Sequence, residues 1–369
     1  MKFCCGKKAF SDAVSVIGRA VSTKSTLPAL EGILIKAANE QLILTSNDLE
    51  IGMTTVIPAS VSEPGEIVLN AKLFSEIVRK LPAERVDIAA DEKLLTTVSS
   101  GASEFTILGI PASEFPETPA LTACENFSLP QNLLAGMIRQ TLFCISTDDS
   151  KPVHMGSLFE LSDGEIRIVS VDGFRLAIRT EKIQNALELK FVVPGKTLSE
   201  VLKMLSPDSD EPINMAIGKK HILFKINGFT LISRLLEGDF LDYRGVLVGS
   251  SASEIKIKVR TFSDSVDRAS LLISDRLKSP VRCVFEKDII KVTCATASGK
   301  VYDEIPSSLT GDTLEMGFNN RYLLDALRAC ECDEIRVLLN GPLSPMRICP
   351  LEGENFVFLV LPVRLKTDA

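Results

Sequence analysis

Three stretches of this 369-residue chain repeat one pattern, and they decide the fold: IVLNAKLF at 67–74, FVVPGKTL at 191–198 and MGFNNRYL at 316–323. Each begins as an apolar strand, passes through a short turn and continues with the apolar spacing of a helix. Successive copies start about 120 residues apart. A strand that leads into a helix at a regular interval predicts a repeated structural unit.

A second set of strand-to-helix transitions lies between these copies, at KFC 2–4, FSLP 127–130 and IKI 255–257. The half-period is therefore about 60 residues. Turn signals at 38–40 and 162–164 predict similarly placed hairpins. Short helices are expected at 9–22, 71–81, 130–145, 196–205, 259–273 and 320–330.

The repeat predicts three domains, at 1–122, 123–250 and 251–369, with cuts near Thr118-Pro119 and in 249–253. Each would carry two helices on antiparallel sheets, an α+β fold. Chance periodicity in a β-rich sequence is the alternative. Six strand-helix-strand units in the same order favour a real repeat.

The composition, 45% apolar and 24% charged, is that of a globular chain. The first ten residues lack an apolar stretch long enough for a signal peptide or a membrane helix, so a cytoplasmic location is expected. Nine cysteines are scattered through apolar segments, which favours reduced core thiols over a disulfide framework.

The charge is distributed unevenly, although its sum of -7 argues against a nucleic-acid partner. The six helical segments hold 11 basic and 6 acidic residues, and the remainder holds 30 and 42. If the helices share one surface, that surface is basic and attracts phosphates without sequence preference. Helices also tolerate Lys and Arg that simply face solvent, so charge alone leaves both interpretations open.

Catalytic and metal motifs are missing from the sequence. The two histidines, His154 and His221, have no partner at metal-ligand spacing, and Cys330-Glu331-Cys332 lacks the second pair of a zinc site. The GKT at 195–197 has Lys190 where a phosphate loop needs glycine. We therefore predict no catalytic residue, metal or cofactor. An enzyme of duplicated α+β domains and a scaffold that never touches nucleic acid remain alternatives.

Six motifs along the chain closely resemble those of one family, the bacterial DNA polymerase III beta subunits, which are sliding clamps. The resemblance covers nearly the whole chain. The motifs are TLP 26–28 with LTSNDLE 44–50, LGIPASEFP 108–116, VDGFRLA 171–177, EGDFLDY 237–243, GFN 317–319 and LPVRL 361–365.

The resemblance implies three tandem DNA-clamp domains per chain and a head-to-tail homodimer. Two chains would form a six-domain ring with the helices inside, around double-stranded DNA. The ring would tether the replicative polymerase and other proteins that carry a clamp-binding peptide, and a clamp loader would open it. No catalysis and no membrane association are implied.

The resemblance also implies a groove for a short peptide of the glutamine-leucine-x-leucine-phenylalanine type. Without it, Leu361 and Val363 would be interpreted as plain strand core. The implied wall comprises His154, Val171, Gly173, Phe174, Arg175, Leu176, Leu241, Val246, Leu277, Asn319, Tyr322, Leu343, Pro345, Val360, Leu361, Pro362, Val363 and Arg364.

For DNA contact, the family's loop position falls on Lys24, and Lys151 is another candidate. The charge distribution adds Arg79, Lys80, Arg139, Lys203, Arg268 and Arg328. For the dimer contact, the resemblance points to Phe105, Leu271 and Leu272.

The chain departs from the family pattern at a few positions. Leu241 replaces a usual proline, Gly245 a usual basic residue and His154 a common aliphatic one, and 366–369 extend past the usual ending. These departures bear on the shape of the groove and on the affinity for partner peptides.

Overall fold

The computed structural model describes residues 1–119, 121, 124–184, 187–247, 251–273 and 279–365. The chain divides into two compact units. Unit 1 comprises Met1–Asn132 and Glu200–Leu235, and unit 2 comprises Leu133–Ser199 and Leu236–Ala369.

Seven α-helices lie in the described part of the chain. They are α1 Lys7–Ile17, α2 Ala71–Lys80, α3 Gln131–Leu142, α4 Gly195–Met204, α5 Arg244–Leu247, α6 Val259–Ser270 and α7 Asn320–Arg328. Single 3-10 turns span Gly18–Ala20, Pro28–Glu31, Ala112–Glu114 and Pro152–Met155.

The remaining regular structure is β-strand. The strands are β1 Lys2–Gly6, β2 Gly32–Ala38, β3 Gln41–Asn47, β4 Ile51–Pro58, β5 Ser60–Glu63, β6 Gly65–Asn70, β7 Arg85–Ala90, β8 Leu95–Ser100, β9 Ser103–Leu108, β10 Glu125–Pro130, β11 Gly156–Ser162, β12 Glu165–Val171, β13 Arg175–Lys182, β14 Leu189–Pro194, β15 Pro212–Ile217, β16 His221–Ile226, β17 Phe229–Arg234, β18 Ser253–Lys258, β19 Val281–Phe285, β20 Ile289–Thr296, β21 Gly299–Pro306, β22 Ser308–Thr310, β23 Leu314–Phe318, β24 Glu334–Leu339, β25 Met346–Pro350 and β26 Phe356–Val360.

The strands form antiparallel sheets in both units. Unit 1 holds a five-stranded sheet, β5-β1-β7-β8-β9, and an eight-stranded sheet, β10-β15-β16-β17-β4-β3-β2-β6. Unit 2 holds a nine-stranded sheet, β14-β11-β12-β13-β26-β25-β24-β18-β22, and a four-stranded sheet, β21-β20-β19-β23. The α+β class predicted from the repeat is confirmed.

Two strand pairings explain why the compact units do not follow the predicted domains. In unit 1, β17 pairs with β4, and Leu231 lies opposite Met53. In unit 2, β13 pairs with β26, and Ala177 lies opposite Phe358. Hydrogen bonding therefore continues from one sequence repeat into the next. The predicted boundaries after residues 122 and 250 fall beside residues that are not described, and they stay predictions.

The helix predictions are confirmed in position, with two corrections. The helix expected at 9–22 begins at Lys7 and ends at Ile17, because the chain tightens into the 3-10 turn Gly18–Ala20. The helix expected at 196–205 begins one residue earlier, at Gly195. A β-carbon at Gly195 would lie 2.9 Å from Ile145 Cδ1, so the Ile145 side chain would have to shift to admit any other residue there. The four-residue α5 was not predicted, since one turn is too short for a periodic signal.

The predicted hairpins are confirmed by their turns. Asn39 and Glu40 have φ of 52° and 57°, and Asp163 and Gly164 have φ of 53° and 74°. Two consecutive residues with positive φ form the type I′ turn, whose twist matches that of the flanking strands.

Apolar helix faces pack on the sheets in each unit. In unit 1, Phe10 of α1 meets Phe74 of α2 edge-on, with ring centroids 5.6 Å apart. In unit 2, Phe262 of α6 and Leu323 and Leu327 of α7 are fully buried. The polar face of each of these helices is left for solvent, and the basic side chains lie there.

Candidate functional site

The turn between β12 and β13 in unit 2 presents an aromatic side chain to solvent. Asp172 Oδ1 accepts hydrogen bonds from the backbone N–H groups of Phe174 and Arg175, at 2.9 and 3.0 Å. Gly173 supplies a φ of 89°, which L-residues rarely adopt. The turn leaves Phe174 57% exposed.

Arg175 is fixed by charge and by aromatic contacts. Its Nε donates to Asp172 Oδ2 at 2.8 Å and its Nη1 donates to Asp325 Oδ2 at 2.6 Å. The guanidinium carbon lies 4.5 Å from the Tyr322 ring centroid and 5.5 Å from that of Phe143. Burial alone would lower the pKa of Arg175, but the two carboxylate hydrogen bonds outweigh it and raise the pKa. The side chain is therefore a permanent, pre-positioned cation.

Tyr322 stands in the first turn of α7 and stacks on Phe174. Their ring centroids are 5.8 Å apart at an interplanar angle of 24°. Asn319 caps the helix, because its Oδ1 accepts from the N–H groups of Arg321 at 3.0 Å and Tyr322 at 3.4 Å. These side chains and Val363 line an open groove of about 670 Å³.

The segment after β26 reaches this groove through Val363. Leu361 N–H donates to Phe174 O at 2.9 Å, and Val363 N–H donates to Gly317 O at 2.8 Å. A β-carbon at Gly317 would lie 2.9 Å from Val363 O, so glycine permits this approach. Leu361 and Val363 are 38% and 40% exposed, and their interpretation as strand core is therefore wrong.

A smaller pocket of about 190 Å³ lies in the same unit. Its apolar lining includes Val246, Pro345 and Leu359. Leu343 is 67% exposed and Leu241 is 43% exposed. Exposed apolar side chains such as these are typical of a surface that binds an apolar segment of a partner.

The structure describes every predicted groove residue except Leu277, which lies outside the described residues. Three of them are core rather than wall: Val171 and Leu176 are each 4% exposed and Val360 is fully buried. Their side chains point into the core because that face of their strands is covered by other parts of the unit. Gly173 and Arg364 are exposed and Pro362 is half-buried.

His154 lies in the 3-10 turn Pro152–Met155 before β11 and packs edge-on against Phe240, with ring centroids 5.3 Å apart. Burial, aided by the nearby charge of Lys151, lowers the pKa of His154. The imidazole is therefore neutral at pH 7 and adds an aromatic surface beside the exposed Leu241.

The predicted DNA-contacting cations are exposed in their units. Lys24 and Lys151 lie in loops. Each of the other six forms an ion pair with a nearby carboxylate: Arg79 and Lys80 with Glu76, Arg139 with Glu331, Lys203 with Glu200, Arg268 with Asp303 and Arg328 with Asp267. Such exposed pairs contribute little to stability, so phosphates can compete for the cations.

Sequence analysis missed two basic residues of α1. Because the helix begins at Lys7, both Lys7 and Lys8 belong to it. Together with Arg79 they line an open depression of about 750 Å³ in unit 1. Both lysines stand directly before the predicted start of the helix at residue 9, and they were left out because that start was two residues too late.

The predicted dimer residues lie on or near edges of sheets. In unit 1, Phe105 is 41% exposed on β9, an edge strand that also carries Leu108, 70% exposed. In unit 2, Leu271 follows α6 and is 83% exposed, whereas Leu272 is half-buried. The edge strand β21 of that unit carries Tyr302, 61% exposed.

Within the described ranges, no group of three His, Cys, Asp or Glu side chains is placed to hold a metal ion. No helix in that part of the chain is long and apolar enough to cross a bilayer. All nine cysteines are free, five of them buried and four half-buried.

Repeated α+β units with antiparallel sheets, exposed basic helix faces and an apolar groove define a protein of the DNA-clamp class. Models of the DNA polymerase III beta subunit match the chain three times in order: the N-terminal domain at 1–119, the central domain at 128–242 and the C-terminal domain at 246–364. The chain therefore belongs to the DNA polymerase III beta subunit family, the beta sliding clamps. Members of this family are accessory processivity factors and are not themselves catalytic.

Individual relatives agree over the full length. The beta sliding clamp of Bacillus subtilis is 33% identical, with 99% of this chain and 100% of the relative covered. The crystal structure of a DNA polymerase III beta subunit from Eubacterium rectale is 34% identical, covers 100% of both chains and superposes with a TM-score of 0.96. The crystal structure of the DNA polymerase sliding clamp from Bacillus subtilis gives a TM-score of 0.96 at 33% identity, with 99% and 100% covered.

Proposed function

We propose that two copies of this chain close head to tail into a ring around duplex DNA and tether the replicative polymerase and other peptide-bearing proteins to it. The observation that carries the proposal is the ordered match of three clamp domains over nearly the whole chain. The chain would act in the cytoplasm, and a clamp loader would open and close the ring.

The ring would hold DNA by topology. Its helices would face the hole, and the cations at their ends would exchange their carboxylate partners for phosphates. Such contacts weaken as salt rises and carry no sequence information. Weak contacts suit a clamp that must slide, since tight binding at one site would hold it in place.

The dimer contact would join two sheet edges. An exposed edge strand offers unpaired backbone groups to another strand. We place Phe105 and Leu108 of β9 in one subunit against the surface that carries Leu271 and Tyr302 in the other. A head-to-tail contact made twice closes the ring.

The groove of unit 2 would receive an extended peptide. Phe174 and Tyr322 would offer aromatic faces to its hydrophobic end, and the exposed Val363 and Leu361 would add apolar contacts. The pocket near Val246 would take a second apolar side chain. Arg175, already paired with two carboxylates, shapes the groove instead of neutralising a peptide charge.

A primer-extension assay tests this function. With a clamp loader and the DNA polymerase III of a related bacterium, the chain should lengthen the products made in one binding event. Phe174→Ala should abolish the effect, because the polymerase loses its anchor while the ring remains. Unchanged product length, in a reaction where the Bacillus subtilis clamp lengthens the products, would overturn the proposal.

A further inference from the structure

A buried carboxylate in unit 2 is the meeting point of four side chains. Glu160 of β11 keeps only 7% of its side chain exposed. It accepts a hydrogen bond from the Tyr243 hydroxyl and one from Arg244 Nη2 at 3.1 Å. Lys190 Nζ of β14 lies 3.4 Å from its other oxygen, and Arg167 Nη1 of β12 donates to the Tyr243 hydroxyl at 3.4 Å.

This cluster ties a loop to a sheet. A buried carboxylate is costly unless it is paired and hydrogen-bonded, so its partners are held firmly. Glu160, Arg167 and Lys190 belong to three neighbouring strands. Tyr243 lies in the loop before α5 and is only 2% exposed. Burial, together with the hydrogen bond to Glu160, raises the pKa of Tyr243, so its hydroxyl remains a donor at neutral pH.

The loop and α5 carry two residues of the predicted peptide site, Leu241 and Val246, and Val246 lines the smaller pocket. Leu241 lies two residues before Tyr243, and Val246 lies three residues after it. Val246 N–H donates to Tyr243 O at 3.1 Å, so the backbone of Tyr243 also restrains the position of α5. Between them, Gly245 has open space around its missing β-carbon, and glycine leaves the backbone free to vary. Tyr243 is therefore a central anchor of this segment, between the contact of Phe240 with His154 and the hydrogen bond from Arg347 Nη1 to Leu247 O at 3.3 Å.

We propose that Glu160 and Tyr243 are positioning residues of the groove: they fix the loop so that Leu241 and Val246 stand ready for the peptide, without touching it. The inference rests on the peptide-binding role proposed above. Fixing a loop in its bound conformation raises affinity, because the cost of ordering is met before binding.

The variants Tyr243→Phe and Glu160→Gln test the inference, each changing one polar group and little of the shape. A matched control is Glu66→Gln, which neutralises a strand glutamate that also pairs with a lysine, Lys36 at 3.7 Å, but at an exposed position away from the loop. The readouts are the Kd of a synthetic glutamine-leucine-x-leucine-phenylalanine peptide and the hydrogen-exchange rate of the Val246 amide.

Both variants should raise the Kd of the peptide by roughly tenfold, which corresponds to about 1.4 kcal/mol of binding free energy. Exchange at Val246 should accelerate while the β11 amides stay protected, and the control should behave as wild type. A purely structural role would lower the melting temperature and leave the Kd unchanged, which would overturn the inference alone. A wild-type chain that fails to bind the peptide would overturn the proposed groove as well.

Discussion

Replacing Leu271 by alanine should open the ring. The side chain is 83% exposed in the single chain. Burying a leucine contributes about 1.5–3 kcal/mol, and the lower figure suits a change to alanine, which keeps the β-carbon. Because a closed ring repeats the contact, the substitution acts twice and removes about 3 kcal/mol. The dimer dissociation constant should therefore rise by roughly a hundredfold.

Sedimentation over a concentration series measures this change. The wild-type chain should sediment at about twice its mass of 40.2 kDa. The control is Leu343→Ala, which alters another exposed leucine, 67% accessible, that belongs to the proposed peptide site. That variant should stay dimeric and lose peptide affinity. The Leu271→Ala chain should instead dissociate into monomers and keep its peptide affinity. A Leu271→Ala chain that dimerises as tightly as wild type would refute this placement of the contact.

Three further predictions concern charge, protonation and thiols. The triple change Arg139→Glu, Lys203→Glu and Arg268→Glu should abolish retention on DNA. The same charge reversal at three strand residues should leave retention unchanged; these residues are Lys36, Arg85 and Arg282. Gel filtration of clamp–DNA complexes measures the retention of both variants. Burial lowers the pKa of His154 and His221 below 6.5, so the unfolded chain takes up more protons as the pH falls through that value, and stability should decrease from pH 7.5 to 5.5. In urea titrations at both pH values, the His154→Leu chain should lose less free energy of unfolding between pH 7.5 and 5.5 than wild type. An equal loss in the two proteins would contradict the contribution of His154. Burial raises the pKa of Cys283 to about 12, so native protein at pH 8 should resist iodoacetamide at that residue while denatured protein reacts, as peptide mass spectrometry will report.

Local features of the fold were predictable from the sequence. The strand-to-helix transitions gave every helix longer than one turn, and Asn39 and Asp163 marked their hairpins because short polar residues tolerate positive φ. The continuation of one sheet from β17 to β4 was not predictable. Phe229 pairs with Thr55, far away in sequence, and no local pattern specifies such a partner.

The groove was predictable only through its family resemblance. The exposure of Leu361 and Val363 depends on where β26 ends. The apolar residues continue past the end of the strand, so the sequence does not indicate its last residue. The burial of Val360 depends in the same way on what covers its strand. Glu160 and Tyr243 are 83 positions apart, so nothing in the sequence indicates that they share a hydrogen bond.

Retention on circular DNA tests the ring most directly. The chain is loaded onto nicked circular DNA, the complex is isolated by gel filtration, and one half is linearised with a restriction enzyme. A closed ring should remain with the circle and slide off the linear molecule. A chain that stays bound equally to both forms would hold DNA by contact and not by encircling it, contrary to the function proposed for this clamp.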